Sequence, residues 1–126
     1  MLRLEINGKE FAFNFGMGFL KEINSMVVVP VEGAVGAKQK RGLHMAIAGV
    51  MDGDVETLAD VLYRANFNQE PRITRKELDD YIEDESTDVD ELFKSVLDFF
   101  GKANCTRKTY QAIQKAIQEQ TAQSKA

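Results

Sequence analysis

The sequence has 126 residues, which suffice for one domain with its own hydrophobic core but not for two. The single cysteine, Cys105, excludes an internal disulfide, and the single histidine, His44, leaves too few ligands for a zinc site of the Cys/His type. The net charge of −4 is unevenly distributed: residues 54–104 carry 14 acidic and 6 basic side chains, and residues 105–126 carry one acidic and four basic. Such an acidic centre disfavours nucleic-acid binding, which depends on Lys and Arg neutralising phosphates.

The first fifteen residues predict a β-hairpin. Residues 2–6 and 11–15 each alternate between polar and apolar side chains, and Asn7-Gly8 lies between them. Asn-Gly is the strongest short hairpin signal, because both central positions of the favoured turn need a positive φ. The apolar face of this hairpin has to pack on the helices that follow, since two strands alone are barely stable.

The N-terminal residues lack the positively charged start and apolar core of a signal peptide. No apolar run approaches the roughly 20 residues that a membrane-spanning helix needs. We therefore expect a cytoplasmic protein without membrane contact.

A helix of about two turns is predicted around Phe19 and Ile23, and the unusual stretch 26–31 follows it. Its valines favour an extended chain, whereas Pro30 lacks a backbone donor and is confined to an edge strand or a loop. One interpretation is a covered loop or a third strand beside the hairpin. The other is an exposed apolar edge that pairs with another subunit. The candidate residues for self-association or partner binding are Val27, Val28, Val29 and Val31.

Several helices are predicted in the remainder of the chain. Residues 43–51 are apolar on nearly all sides, which predicts a central, buried helix. Asp54 is a good N-cap for the next helix, and its apolar stripe is expected to be buried. That stripe comprises Val55, Leu58, Ala59 and Leu62.

The later helices have clear start signals. Pro71 bars continuation of the preceding helix, Thr74 and Glu77 form a capping-box pattern, and Asp88 begins another helix. Thr106 is predicted to cap a last helix, whose apolar residues are also candidates for partner binding or self-association. These residues are Tyr110, Ile113 and Ile117.

The predicted fold class is thus α+β and mostly α-helical, with an N-terminal β-hairpin packed on a bundle of about five to six helices. We expect a single domain over residues 1–118. Residues 119–126 have no apolar stripe and are expected to form a frayed tail.

Residues 77–91 contain nine acids and no Lys or Arg, which raises the question of a metal site. A calcium loop needs Gly at its sixth position and Glu at its twelfth, and no register starting at Asp52 or Asp84 satisfies this. Capping and the helix dipole already explain acids at helix starts. A nucleophilic Cys105 would need His44 as its base, and we expect both to be structural. The sequence therefore predicts no catalytic, cofactor-binding or metal-binding residue.

The helix, turn and helix within residues 54–85 superficially suggest a small regulatory or nucleic-acid-associated protein. The second helix is acidic, however, unlike a helix that reads a DNA groove. A gel shift that weakens with salt would support this alternative.

A succession of short motifs carries a family resemblance: Leu-Glu-Ile-Asn-Gly-Lys at 4–9, Phe-Gly-Met-Gly-Phe-Leu at 15–20, Val-Pro-Val-Glu-Gly at 29–33, Ala-Gly-Val-Met-Asp-Gly-Asp at 48–54, Pro-Arg-Ile-Thr-Arg at 71–75 and Asp-Asp-Tyr-Ile-Glu-Asp at 79–84. Over roughly residues 2–115 the chain resembles the tail assembly chaperones of long-tailed phages and prophages of Gram-positive bacteria. No single motif is a catalytic signature.

The resemblance implies a non-catalytic cytoplasmic protein that is needed to build the phage tail and is absent from the finished virion. One implied partner is the tape-measure protein, which the chaperone coats. The other is the tail-tube subunits, which polymerise around the tape-measure protein. In such systems ribosomal frameshifting commonly produces a second, C-terminally extended form. We also expect self-association into a homo-oligomer, including open helical assemblies if the contact is head-to-tail.

Overall fold

The computed structural model describes residues 1–26, 28–30 and 38–124, with the backbone alone at 28–30, 38–40 and 121–124. In chain order the elements are β1 (Leu2–Ile6), β2 (Lys9–Phe13), α1 (Met17–Asn24), β3 (Val28–Pro30), β4 (Lys38–Lys40), α2 (Gly42–Met51), α3 (Val55–Ala65), α4 (Arg75–Glu83), α5 (Val89–Lys102) and α6 (Arg107–Ser124). A hairpin and six helices confirm the predicted α+β, mostly helical fold class.

The hairpin of β1 and β2 is confirmed, together with its turn. Asn7 and Gly8 have φ values of 55° and 77°, as the Asn-Gly turn requires. Leu2 pairs with Phe13 and Ile6 with Lys9, so β2 begins two residues earlier than predicted. The two-residue turn imposes this register, because it places Lys9 directly opposite Ile6.

The strands β3 and β4 form a second antiparallel sheet, separate from the hairpin. Val28 pairs with Lys40 and Pro30 with Lys38. Residues 28–30 therefore form a strand, and of the alternatives left open by the sequence, a third strand beside the hairpin is wrong. Its partner is instead the next extended segment along the chain, which needs only a short connection. We refer to β3 and β4 together as the ribbon.

The main core lies between the inner face of the hairpin and the helices. The ring of Phe15, just beyond β2, contacts Phe19 of α1 and Phe100 of α5, with centroid distances of 5.2 and 5.5 Å. Leu58, Leu62, Ile73 and Leu78 are fully buried in the same cluster. Aromatic edge contacts of this kind add to the stabilisation from area burial alone.

Helix α2 is central but is not buried on all sides. Leu43, Ile47 and Val50 face the core, whereas His44 is exposed and Met45 is 55% exposed. The prediction of a central, buried helix is therefore confirmed for one side of α2 only, because hydrophobicity without periodicity cannot show which side of a helix the neighbouring elements leave uncovered. At the start of α2 a Cβ on Gly42 would collide with the carbonyl group of Ile23, so glycine permits the close approach of α1.

The predicted helix starts are confirmed. The Asp54 side chain accepts from the backbone N–H of Glu56, and the Asp88 side chain accepts from that of Glu91. Thr74 and Glu77 form both hydrogen bonds of a capping box.

In the predicted stripe of α3, Leu58, Ala59 and Leu62 are buried, but Val55 is 45% exposed. Val55 occupies the first turn of the helix, which extends beyond the core.

Thr106 immediately precedes α6, as predicted, but its buried hydroxyl donates to the carbonyl of Phe100 at 2.7 Å. The hydroxyl thus provides a hydrogen-bond donor for a carbonyl near the end of α5, where the last carbonyls have no partner within the helix. The backbone of α6 remains helical to Ser124. The domain boundary at residue 118 and the fraying beyond it stay predictions.

Candidate partner-binding surface

The valine candidates belong to the ribbon. Val28 and Val29 lie in β3, where the backbone pairs with β4 on one side. Val27 and Val31 lie outside the described residues. A two-stranded ribbon leaves each strand with a second edge, and β4 carries Lys38 and Lys40, the residue type that blunts an edge against pairing. β3 carries Pro30, which lacks a backbone donor and also blunts an edge, so strand addition at these valines stays a prediction.

The candidates in α6 differ in exposure. Ile113 is buried, at 7% exposure, whereas Ile117 is 49% exposed and Tyr110 is half-buried. Tyr110 and Ile117 line one open depression of about 290 Å³ that also includes Met51 at the end of α2. The hydroxyl of Tyr110 accepts a hydrogen bond from Gln114 at 3.0 Å. The depression has a small apolar floor and polar glutamine edges, and binding by these three residues stays a prediction.

A methionine-lined depression was missed by the sequence reasoning. Met26 and Met45 are 44% and 55% exposed, and they line a depression of about 170 Å³ together with Ile23, Ala46, Thr57 and Asp60. We call this the methionine surface. Met26 stands two residues before β3, so the methionine surface and the ribbon are adjacent in the chain. Met45 was the sequence signal that could have revealed this depression. Consecutive residues of a helix differ by about 100°, so Met45 points in another direction than the buried Ala46.

A groove with a volume of about 310 Å³ lies between α3 and α4. Val55, Ala59 and Ile82 supply its apolar lining, and the charged side chains around it are Glu56, Arg75, Asp79 and Glu83. We call it the α3–α4 groove. The carboxylates outnumber the single guanidinium, so the groove combines apolar surface with negative charge.

The acids of α4 act mainly within the chain. Hydrogen bonds from the backbone N–H and then the hydroxyl of Thr74 lower the pKa of Glu77. Hydrogen bonds from Ser86 likewise lower the pKa of Asp84. Across the described residues no group of three His, Cys, Asp or Glu side chains is placed to hold a metal ion. Capping by Glu77 and Asp88, the turn at Asp84 and the ion pairs of Asp79 and Asp80 therefore account for five of the nine acids.

His44 and Cys105 come together on the rim of one depression of about 350 Å³, between α1, α2 and α6. Arg41 and Thr109 also line it. The structure thus brings the single His and the single Cys to one depression, and the structural roles expected for them stay predictions.

The model of the family described as "Phage tail assembly chaperone protein, TAC" matches residues 3–115. The chain belongs to the phage tail assembly chaperone family. This tail assembly chaperone matches no curated protein and no solved structure. Membership favours a non-enzymatic role in phage tail assembly, with phage tail proteins as partners in general. No helix in the described ranges is long and apolar enough to span a membrane.

Proposed function

We propose that this tail assembly chaperone binds and solubilises the tape-measure protein in the host cytoplasm and helps recruit tail-tube subunits to it. It acts only during assembly and is absent from the mature virion. A C-terminally extended form made by frameshifting would share the same surfaces over the matched residues. The main structural support for this proposal is the methionine surface.

The chemistry of the methionine surface suits such a partner. A tape-measure protein presents long apolar stripes whose side chains change from one turn to the next. Methionine is unbranched and flexible, so Met26 and Met45 can adapt to many apolar shapes with little loss of contact. Exposed apolar side chains in one depression, beside the polar Thr57 and Asp60, are typical of a protein-binding surface.

The test is co-expression with the tape-measure protein, whose gene is expected to be very long and to lie close to the gene for this chain. Wild-type chaperone should keep the tape-measure protein in the supernatant and should co-purify with it. Met45→Asp should reduce the soluble tape-measure protein several-fold, because a carboxylate in the methionine surface must lose its hydration on contact with an apolar stripe.

Met17→Asp is the matched control, because Met17 is 56% exposed and lies outside the methionine surface. It should solubilise the tape-measure protein as well as wild type does. Equal solubilisation by both variants would refute the role of the methionine surface. Failure of the wild-type protein to co-purify with the tape-measure protein would refute the proposed function itself.

A further inference from the structure

The α3–α4 groove has carboxylates available for a basic partner. Arg75 is already held by Asp60 at 2.8 Å and by Asp79 at 3.2 Å. Among the described residues no ion pair engages Glu56 or Glu83. Lys76, which is bound to Asp80, also interacts electrostatically with Glu83. The groove therefore offers apolar contact beside two carboxylates that form no ion pair with the described residues, which favours a partner that is partly apolar and positively charged.

The outward side of α6 has the complementary character. Ile113 points into the core, whereas Lys108, Ala112 and Lys115 are exposed and follow one another at i, i+4 and i+7, so they form one stripe. We call these three residues the α6 stripe. Ala112 keeps the middle of the stripe flat, and the lysines at its two ends have long apolar stems with charged tips.

The α6 stripe and the α3–α4 groove belong to different parts of the molecule. Helix α6 packs against α2 and α5, whereas the groove lies between α3 and α4. The packed side of α6 holds the helix in place, so its outward stripe cannot turn to reach the groove of the same molecule. Contact between these two surfaces therefore requires two copies of the chain.

We infer that the α6 stripe of one copy docks in the α3–α4 groove of another, with Lys108 and Lys115 beside the carboxylates of Glu56 and Glu83. The two contacting surfaces are not the same patch, so the contact is head-to-tail and leaves one groove and one stripe free at the ends of each assembly. This inference concerns contact between copies, goes beyond the proposed function and does not depend on binding of the tape-measure protein.

Sedimentation velocity of the wild-type chain alone tests the association. The weight-average mass should rise with concentration in 50 mM NaCl, and the association should weaken at least tenfold in 500 mM NaCl, because salt screens exposed charges. A monomer at every concentration up to 1 mM in low salt would overturn the inference.

Charge reversal identifies the surfaces. The groove variant Glu56→Lys with Glu83→Lys and the stripe variant Lys108→Glu with Lys115→Glu should each be monomeric, because like charges then face each other. Mixing the two variants should restore association, since each variant stripe then meets a groove of opposite charge. A chain with all four substitutions should associate with itself for the same reason.

Two controls separate specific docking from an effect of net charge. Glu5→Lys with Glu70→Lys changes the net charge as the groove variant does, and Lys21→Glu with Lys94→Glu changes it as the stripe variant does, all at exposed positions. Both controls should associate like wild type, and circular dichroism should show native helicity in every variant. Failure of the mixed variants to associate, or loss of association in the controls, would overturn the inference while leaving tape-measure binding untouched.

Discussion

Asn66 is a buried polar residue whose amide joins three parts of the chain. Its Nδ2 donates to the carbonyls of Ala12 in β2, at 2.9 Å, and of Pro71, at 3.2 Å. Its Oδ1 accepts from the backbone N–H of Ile73 at 2.7 Å and from Arg72 at 3.1 Å. Every hydrogen-bonding position of the side-chain amide is thus in use, as burial requires.

Replacing Asn66 with alanine should lower the free energy of unfolding by about 3 kcal/mol, because it leaves the Ile73 N–H and the Ala12 carbonyl unsatisfied in a buried site. Urea denaturation followed by circular dichroism measures the change. Asn104→Ala, at an exposed position, should change stability by less than about 0.5 kcal/mol. A loss below about 1 kcal/mol for Asn66→Ala would show that water replaces the amide.

The sequence could not reveal the role of Asn66, which stands in a connection rich in Asn and resembles an ordinary turn residue there. Its partner Ala12 is 54 residues away, so the need for an amide becomes visible only in the folded structure. By contrast Asn7 was predicted correctly, because the requirement for a positive φ in a two-residue hairpin turn is local.

At the scale of single elements, the capping box of α4 makes stability depend on pH. The pKa of Glu77 is lowered from its ordinary value of 4.5 by hydrogen bonds from the backbone and side chain of Thr74. A carboxyl group whose folded-state pKa is depressed stabilises the fold above its unfolded-state pKa. That contribution is lost as the pH falls through the lower, folded-state pKa.

Glu77→Ala should therefore lower the melting temperature at pH 7, and the difference from wild type should shrink as the pH falls below about 4. Thermal melts from pH 7 to pH 3 measure this. Glu85→Ala removes an exposed acid from the same stretch, outside the capping box, and should have a smaller effect. A difference that grows on acidification would contradict the assigned role of Glu77.

The sequence predicted the helix starts well and the exposed sides of the elements poorly. Caps depend on residues three positions apart, so Thr74 and Glu77 suffice to indicate one. The exposure of Met45 depends on which neighbours cover α2, and the pairing of β3 depends on residues 38–40, whose sequence Lys-Gln-Lys is not typical of a strand. The methionine surface was missed for the same reason.

At the scale of the whole molecule, we expect the C-terminal end of α6 to be separable from the core. All residues from Gln114 to Gln120 are exposed, and Ile113 is the last buried residue among those whose side chains are described. A chain that ends at Gln118 should therefore keep its fold, with a melting temperature within about 3 °C of that of the full chain.

A chain that ends at Thr109 is the contrast, because it also lacks Tyr110 and Ile113, which pack on the core. It should lose several times more stability than the chain that ends at Gln118. Thermal melts and near-ultraviolet circular dichroism compare the two. Equal destabilisation by both truncations would show that residues beyond 118 belong to the domain.

The candidate binding surfaces could be predicted only in part, because the exposure of a side chain depends on how the elements pack. The sequence identified Tyr110, Ile113 and Ile117 by their spacing, but spacing alone could not distinguish the buried Ile113 from the exposed Ile117. The α3–α4 groove depends on the packing of two helices that are separated by a nine-residue connection. Its acids could be counted from the sequence, but their position around Val55 and Ile82 could not.

The hairpin is joined to the helices by its backbone as well as by Asn66. The N–H of Asn14, just beyond β2, donates to the carbonyl of Ala65 at the end of α3 with a distance of 2.8 Å. Hydrogen exchange at Asn14 therefore requires the hairpin to separate from α3, and its rate reports the cooperative opening of both. This one amide can show whether a partner that binds elsewhere makes the body of the protein more rigid.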